Sequence, residues 1–265
     1  MTMHLQANLL KRTFSTRFLL FLFLALSILF IALPVYSEAE FGDENYEESQ
    51  DVDPWQGVNR RVFKFNSFVD RWLLKPAAKS YQWITPSFVD RGVTSFFKNL
   101  GDVTSLLNSG LQGDFRQMGV STGRFIVNST VGVGGFIDVA SKAGLERRPE
   151  DFGQTLAVWG VGSGPYVELP FLGGRHLRHA FSLVPDFYLS PIAYVNDTDA
   201  RWVLTGLQTV DTRADLFAAE ALLSGDRYSF IRDVYMQRRD SLIDNGQNKD
   251  GEDPFGDDFG DEDDF

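Results

Sequence analysis

Between residues 56 and 75 the apolar positions Val58, Val62, Phe65, Val69 and Trp72 recur at spacings of four, three, four and three. That rhythm places them on one face of an α-helix. Val89, Val93, Phe96, Leu100, Val103 and Leu107 continue it through 87–109, and the segments 115–128, 200–223 and 227–242 fit a helical period better than alternation. Pro76, Pro86, Gly110, Gly113 and Gly225 fall where such helices would start or stop. The longest extended candidate is Tyr166 to Leu172, beside Gly-rich turns. The pattern predicts an all-α body with one short hairpin or loop insert.

Three stretches are unusual for a water-soluble helical domain. Phe125 to Ile137 runs 13 residues without a charge, Phe152 to Val167 runs 16, and Phe187 to Asn196 runs 10. Beyond residue 37 the chain still holds 19 Phe, 7 Tyr and 5 Trp. Aromatic stripes at helical spacing build the core of soluble proteins, but Trp and Tyr at helix ends also suit a membrane interface. The pattern alone leaves both readings open. No apolar run after residue 37 reaches the roughly 20 residues that cross a bilayer, so a membrane-bound body would need amphipathic helices gathered around a polar interior.

Charge divides the 265 residues into four parts. Residues 1–37 carry Lys11, Arg12 and Arg17 and no acid, and the apolar run from Phe18 to Leu33 follows them. This predicts an export signal over 1–37, with cleavage near Val35-Tyr36-Ser37 or after Ala39, or else a retained anchor. Residues 38–53 hold eight acids and no base, and 244–265 hold ten acids against Lys249. Acid-rich segments with little apolar surface cannot offset chain entropy, so both are expected to be disordered. What remains, 54–243, has 18 acids against 21 basic residues. The formal net charge of −11 therefore belongs to the ends of the chain, and it argues against nucleic acid as a partner.

Candidate chemistry is sparse. With no cysteine, disulfides, thiolate nucleophiles and cysteine-ligated metals are excluded, as is acylation through cysteine. The run Gly160-Val161-Gly162-Ser163-Gly164 has Val161 and Pro165 two residues either side of Ser163, so it is no nucleophile elbow. Proline at 165 also breaks a dinucleotide fingerprint. His176 and His179 share a helical spacing, but Arg175 and Arg178 beside them disfavour a metal. Asp138 and Asp151 read as helix caps as easily as acids or bases. No catalytic residue, metal site or cofactor is predicted, and the chain is not expected to be an enzyme.

Four blocks carry a resemblance. DPWQGVNRRVFKFN (Asp53 to Asn66), LQGD (Leu111 to Asp114), RFIVNSTVGVGGFIDVAS (Arg124 to Ser141) and DFGQTLAVWGVGSGPYVELPFLG (Asp151 to Gly173) are similar, in this order, to the MlaA family, also called VacJ. DRYSFIRDVYMQRRDSLI, from Asp226 to Ile243, extends the likeness. The resemblance implies a 54–243 domain built as a ring of amphipathic helices around a central channel, embedded in the outer membrane from its periplasmic side. It implies a transport component that removes mislocalised phospholipid from the outer leaflet and so maintains lipid asymmetry. The phospholipid would pass to a soluble periplasmic carrier of the MlaC type, and a trimeric porin is the implied membrane partner.

The same resemblance puts Gly160 and Gly162 in a hairpin loop that opens the channel, and Lys64, Phe65 and Asn66 on a helix flanking it. By pattern Phe65 suits a core and Asn66 a pore. Arg60, Arg61, Lys75 and Lys79 suit either lipid phosphates or a solvated helix face. Well-known family members carry an acylated cysteine after the signal; this chain has none, so its helices or the apolar run at 18–33 are expected to hold it in the membrane. Two other readings stand beside this one: a periplasmic adaptor using its aromatic surface, and an exported hydrolase acting through Ser163. In the acidic tail Phe255, Phe259 and Phe265 have the spacing of a docking motif for an incoming carrier.

Overall fold

The computed structural model describes residues 53–220 and 225–247. The predicted export segment, the acidic linker up to residue 52 and the acidic tail from residue 248, with its three phenylalanines, lie outside the described residues. The first helix, α1 (Gln56–Val69), passes through a π-helical turn at Asp70–Leu74 into α2 (Lys75–Ile84) without a break. Pro76, expected where a helix starts or stops, stands in the first turn of α2, where its missing N–H costs least. The turn before it absorbs the change of register, the Lys75 N–H bonding the carbonyl of Asp70.

The long α3 (Ser87–Leu111) and α4 (Phe115–Thr130) form an antiparallel pair and pack on each other more extensively than any other two elements. Short helices α5 (Val139–Lys142) and α6 (Phe152–Val158) follow. Each of α4, α5 and α6 starts at an aspartate, Asp114, Asp138 and Asp151, whose carboxylate accepts the N–H three residues on. Strands β1 (Tyr166–Leu169) and β2 (Gly173–His176) make the expected hairpin, with Tyr166 opposite His176 and Leu169 opposite Gly173. Then come α7 (Leu177–Leu189), a 3-10 turn at Pro191–Tyr194, α8 (Thr198–Glu220) and α9 (Arg227–Gln247). Helix α7 was not foreseen: Pro185 lies inside it and interrupts the pattern that marks the other helices.

The helices are amphipathic in the reverse sense of a soluble bundle. On α4 the buried positions are Gln117, Ser121, Arg124 and Asn128, at spacings of four, three and four. On α3 they include Asn99, Asp102, Ser105 and Asn108. The apolar stripe of α1 is turned the other way, leaving Trp72 70% and Phe65 44% exposed, while polar Asn59 is buried. Trp83, Ile84, Phe88 and Phe115 also project outward. The reading of a Phe-rich soluble core is thereby overturned. Among the described residues the buried large apolar groups are Phe97, Tyr166, Ile192 and Tyr228.

Burying polar groups costs about 1–3 kcal/mol each when they are left unpaired, so the interior is organised by partners. Arg124 is the clearest case, with only 1% of it exposed. Its Nε donates to Asp102 Oδ2 on α3 at 3.2 Å, Nη2 to Asp138 Oδ2 at 2.8 Å, and Nη1 to Ser141 Oγ and the carbonyl of Leu145. Arg147 donates to the second oxygen of Asp102 at 3.0 Å. Asn128 completes the set, donating to Asp138 and accepting the Val139 and Ala140 N–H groups. Burial pushes the Asp102 carboxyl up, and the two guanidiniums offset part of that shift. Asp138 is held far below the usual range; burial works against it but is outweighed by donors from Ser141, Arg124 and Asn128.

Removing one member of such a set leaves buried charge without compensation. Arg124→Met is expected to cost about 3–5 kcal/mol of stability, whereas Arg60→Ala, which breaks the exposed Arg60–Asp226 pair, should stay within about 1 kcal/mol. Equilibrium unfolding in detergent with urea checks this; equal losses would show that the Arg124 cluster does not organise the fold.

Candidate functional site

The polar interior continues along α3 past the Arg124 cluster. Gln112 Nε2 donates to Glu150 Oε2 at 3.0 Å and to Thr155 Oγ1 at 3.2 Å, and Thr155 donates to Asn108 Oδ1 at 2.8 Å. Arg148 bridges Glu150 and Asp114, tying the end of α3 to the loop before α6. Burial pushes the Glu150 carboxyl up, opposed by the Gln112 and Arg148 donors. Sequence reading missed these residues because it followed apolar spacing. The signal was present: Gln117, Ser121, Arg124 and Asn128 keep helical spacing as a polar stripe.

A second set of bonds fastens the β-hairpin to α1. Asn59 donates to Asp53 Oδ1 at 2.7 Å and to the Tyr166 carbonyl, and accepts the Glu168 N–H. Two turns on, Asn66 donates to Glu168 Oε1 at 2.9 Å and to the Leu169 carbonyl, and accepts the Phe171 N–H at 2.8 Å. Asp53, placed by its charge in the acidic linker, is 2% exposed and accepts from the Tyr228 hydroxyl. The three predicted helix residues thus have distinct surroundings. Asn66 clamps the hairpin, Phe65 packs edge-to-face on Phe171 at the hairpin tip at 5.1 Å rather than in a core, and Lys64 is exposed.

Helix α6 ends in a loop that contains both predicted glycines. The Gly160 N–H bonds the Ala157 carbonyl and the Val161 N–H bonds the Leu156 carbonyl, a helix-ending motif that requires the left-handed backbone found at Gly160, φ +85°. Gly162 has an ordinary φ, and a side chain there would meet open space. Gly164 is left-handed again, φ +67°, just before β1. The loop rests on the start of α7: Ser163 and Pro165 offer their carbonyls to Arg178 and Leu177 N–H, and the Arg178 side chain donates to the Val161 carbonyl at 2.6 Å.

Around Tyr235 of α9 lie Arg175, His176, His179 and Arg239. Arg175 Nη1 donates to His179 Nε2 at 3.1 Å, which leaves His179 Nδ1–H to donate to the Tyr235 oxygen at 2.9 Å. The same oxygen accepts the His176 N–H. Burial and the neighbouring Arg239 push His179 down to about 4, so it is neutral at pH 7. Arg239 is bonded by both Nη atoms to Asp151, the cap of α6. Asp186 accepts the Phe152 N–H at 2.8 Å, and burial pushes its carboxyl up to about 6.

Of the other basic residues singled out, Arg60 pairs with Asp226 at 2.6 Å and lies over the Tyr228 ring, and Lys75 pairs with Glu220 at 3.0 Å. Arg61 and Lys79 are exposed. Glu220 also accepts from Arg213, whose Nε holds Asp70 of the π-turn at 2.6 Å. Among the described residues no cluster of three His, Asp or Glu is placed to hold a metal, and no helix is long and apolar enough to cross a membrane.

The family model for MlaA lipoprotein matches residues 51–242. The intermembrane phospholipid transport system lipoprotein MlaA of Escherichia coli is 36% identical over 210 residues, covering 76% of this chain and 82% of that protein. The protein of that description in Haemophilus influenzae is 32% identical over 214 residues, covering 77% and 84%. A solved chain described as the structural basis for maintenance of bacterial outer membrane lipid asymmetry superposes with a TM-score of 0.62 at 36% identity, covering 72% of this chain and 98% of that one.

The two glycines are expected to differ on substitution. Gly160→Ala forces a Cβ into a left-handed position and should cost about 1 kcal/mol, while Gly162→Ala should leave stability unchanged; thermal unfolding in detergent separates them. Asp186 yields a pH-dependent expectation. Its folded value of about 6 lies above the ordinary 3.8, so folding favours the protonated form, and its contribution is full below about pH 4 and lost as pH rises to about 6. Asp186→Asn keeps an acceptor for the Phe152 N–H without the charge. It should match the parent near pH 4 and melt higher above pH 6; a variant that melts lower at pH 7.5 would show that the charged form is the stabilising one.

Proposed function

The chain belongs to the MlaA lipoprotein family, and from that premise we propose that it is the outer-membrane component of a phospholipid transport system that maintains lipid asymmetry. In this reading the helices of 54–243 lie in the inner leaflet as a ring, with their aromatic faces on acyl chains and their polar stripes toward a central channel. Mislocalised phospholipid leaves the outer leaflet through that channel and passes to a periplasmic carrier of the MlaC type, with a trimeric porin covering part of the outer face. Transport of this kind breaks no covalent bond, so the protein acts without enzymatic chemistry.

The observation that carries the reading is the reversed polarity. Trp72, Trp83 and Phe115 are at least 70% exposed, while Arg124, Asp102 and Asn108 are at most 1% exposed. In water, large exposed apolar patches drive association; against acyl chains they carry no such penalty. Because no described helix is long and apolar enough to cross a bilayer, embedding from one side suits these helices. Exposed Arg61, Lys64 and Lys79 beside aromatic neighbours fit the headgroup layer.

The relatives are lipoproteins by name, but this chain has no cysteine. A single acyl chain contributes only marginal binding in any case, and we assign attachment to the apolar helix faces. Gly160 and Gly162 supply the moving loop at the channel, and Lys64, Phe65 and Asn66 flank it. In the adaptor reading, all of these outward aromatics would have to be covered by protein.

Fractionation together with a lipid-asymmetry assay tests the proposal. The parent should resist high salt and carbonate and be released by detergent. The double variant Trp83→Glu with Ile84→Glu should move toward the carbonate-soluble fraction, and cells carrying it should accumulate phospholipid in the outer leaflet. Release of the parent by salt or carbonate alone would sink the embedded reading.

A further inference from the structure

The connection from α4 to α5 has an unusual backbone. Val133, Gly134 and Gly135 are left-handed in succession, with φ of +55°, +70° and +89°. Glycine adopts that region freely, but a β-branched valine does so only under strain. The Val133 side chain gains little inside the protein in return, because it is 71% exposed. Val131, at 66%, and Ile137, at 46%, are exposed on either side of it.

The same connection is held firmly from within. At Gly132 a Cβ would fall 2.1 Å from the Ile137 carbonyl, and at Gly135 it would fall 2.5 Å from the Asn99 side chain. The Phe136 ring occupies the space that a side chain at Gly92 of α3 would need. The Gly135 N–H bonds the carbonyl of Asn128, whose side chain belongs to the Arg124 cluster. The outward valines therefore stand on a fixed scaffold.

Two features indicate what covers them. The N–H groups of Val131, Gly132, Gly134, Gly135, Phe136 and Ile137 all bond carbonyls between Val127 and Val133. Irregular backbone in hydrocarbon must satisfy its own polar groups in this way, whereas a protein interface draws on about one hydrogen bond per 100–200 Å² and carries a polar rim. Residues 125–137 also lack any charge, and the carboxylate of Asp138 that follows is spent on Arg124 and Asn128. Both features favour acyl chains over a protein partner.

We propose that residues 131–137 form a preformed apolar wedge that enters the acyl-chain layer of a membrane, with Val131, Val133 and Ile137 as its contacts. The wedge rests on the membrane-embedded reading above and adds to it a non-helical point of insertion, fixed to the Arg124 cluster. The strain at Val133 then has a use. Asparagine or glycine would suit the left-handed turn better, but would present a polar or an empty surface to lipid.

The chain has no cysteine, so Val131→Cys, Val133→Cys and, on α2, Ile84→Cys each give a single site for a fluorophore. Arg238→Cys, exposed on α9, is the aqueous reference. The labelled full chains are reconstituted in vesicles of phosphatidylethanolamine and phosphatidylglycerol. Labels at 131 and 133 should be quenched by lipids carrying doxyl groups on their acyl chains and be protected from iodide. Val131 has an ordinary φ of −80°, so its label keeps the test open should labelling at 133 disturb the turn. Val133→Asn should melt with the parent in detergent yet partition into vesicles about tenfold less well, through loss of one apolar contact with acyl chains.

Iodide quenching at 131 and 133, with the label at 84 still quenched by lipid, would overturn the wedge and leave the embedded reading standing. Equal partitioning of Val133→Asn and the parent would overturn it as well. Labels at 131 and 133 shielded from lipid and iodide alike would replace the wedge with a contact between copies of the chain. Lipid quenching at none of the three sites would remove the embedded reading along with the wedge.

Discussion

A guanidinium that is 1% exposed needs acceptors on every side, and Arg124 obtains them from Asp102 on α3, from Asp138 and Ser141 at α5, and from the Leu145 carbonyl beyond. No single element offers that set. The requirement therefore fixes the register of α4 on α3 and the return of the chain from 131 to 147 across them. Asp138 shows the economy of the arrangement, because one carboxylate caps α5, pairs with Arg124 and accepts from Asn128. Directional bonds of this kind permit few alternative packings, whereas a greasy interface would tolerate sliding.

Once the interior is committed to polar groups, the apolar half of each helix has nowhere to go but outward. The outward Trp and Phe side chains follow from the same pattern that buries Ser121 and Asn128, since a helix has two faces. Stability in such a molecule is shared between the interior network and whatever apolar medium covers the outside. In a bilayer the apolar faces contribute through contact with acyl chains, and the interior hydrogen bonds gain strength where water is scarce.

The glycine loop and the hairpin are held differently from this network. Their fastenings include Asn59 and Asn66 on the hairpin, Arg178 on the Val161 carbonyl and Arg175 on the Leu172 carbonyl. None of these bonds involves a member of the Arg124 cluster. Phe171 sits in a left-handed conformation at the hairpin tip, φ +64°, where its N–H is held by Asn66 and its ring by Phe65.

Much of this was legible in the chain itself. Periodicity located α1, α3, α4, α8 and α9 because their apolar residues keep the 3.6-residue rhythm, and the Tyr166–Leu172 run with its glycines marked the hairpin. Family blocks read from the sequence agree with the matched span 51–242. Periodicity fixes only that a helix has two unlike faces, and it is silent on which one turns inward; that is why Phe65 suited a core by pattern and lies outside in fact. Tertiary contacts decided the direction, because only the folded chain brings Asp102, Asp138 and Arg124 together from positions up to 36 residues apart. They also decided that Asp53 belongs to the folded body and that Pro185 sits within a helix. Which partner each cation meets was likewise settled in three dimensions: Lys75 met Glu220 across 145 residues, while Arg175 and Arg178 cap the Leu172 and Val161 carbonyls.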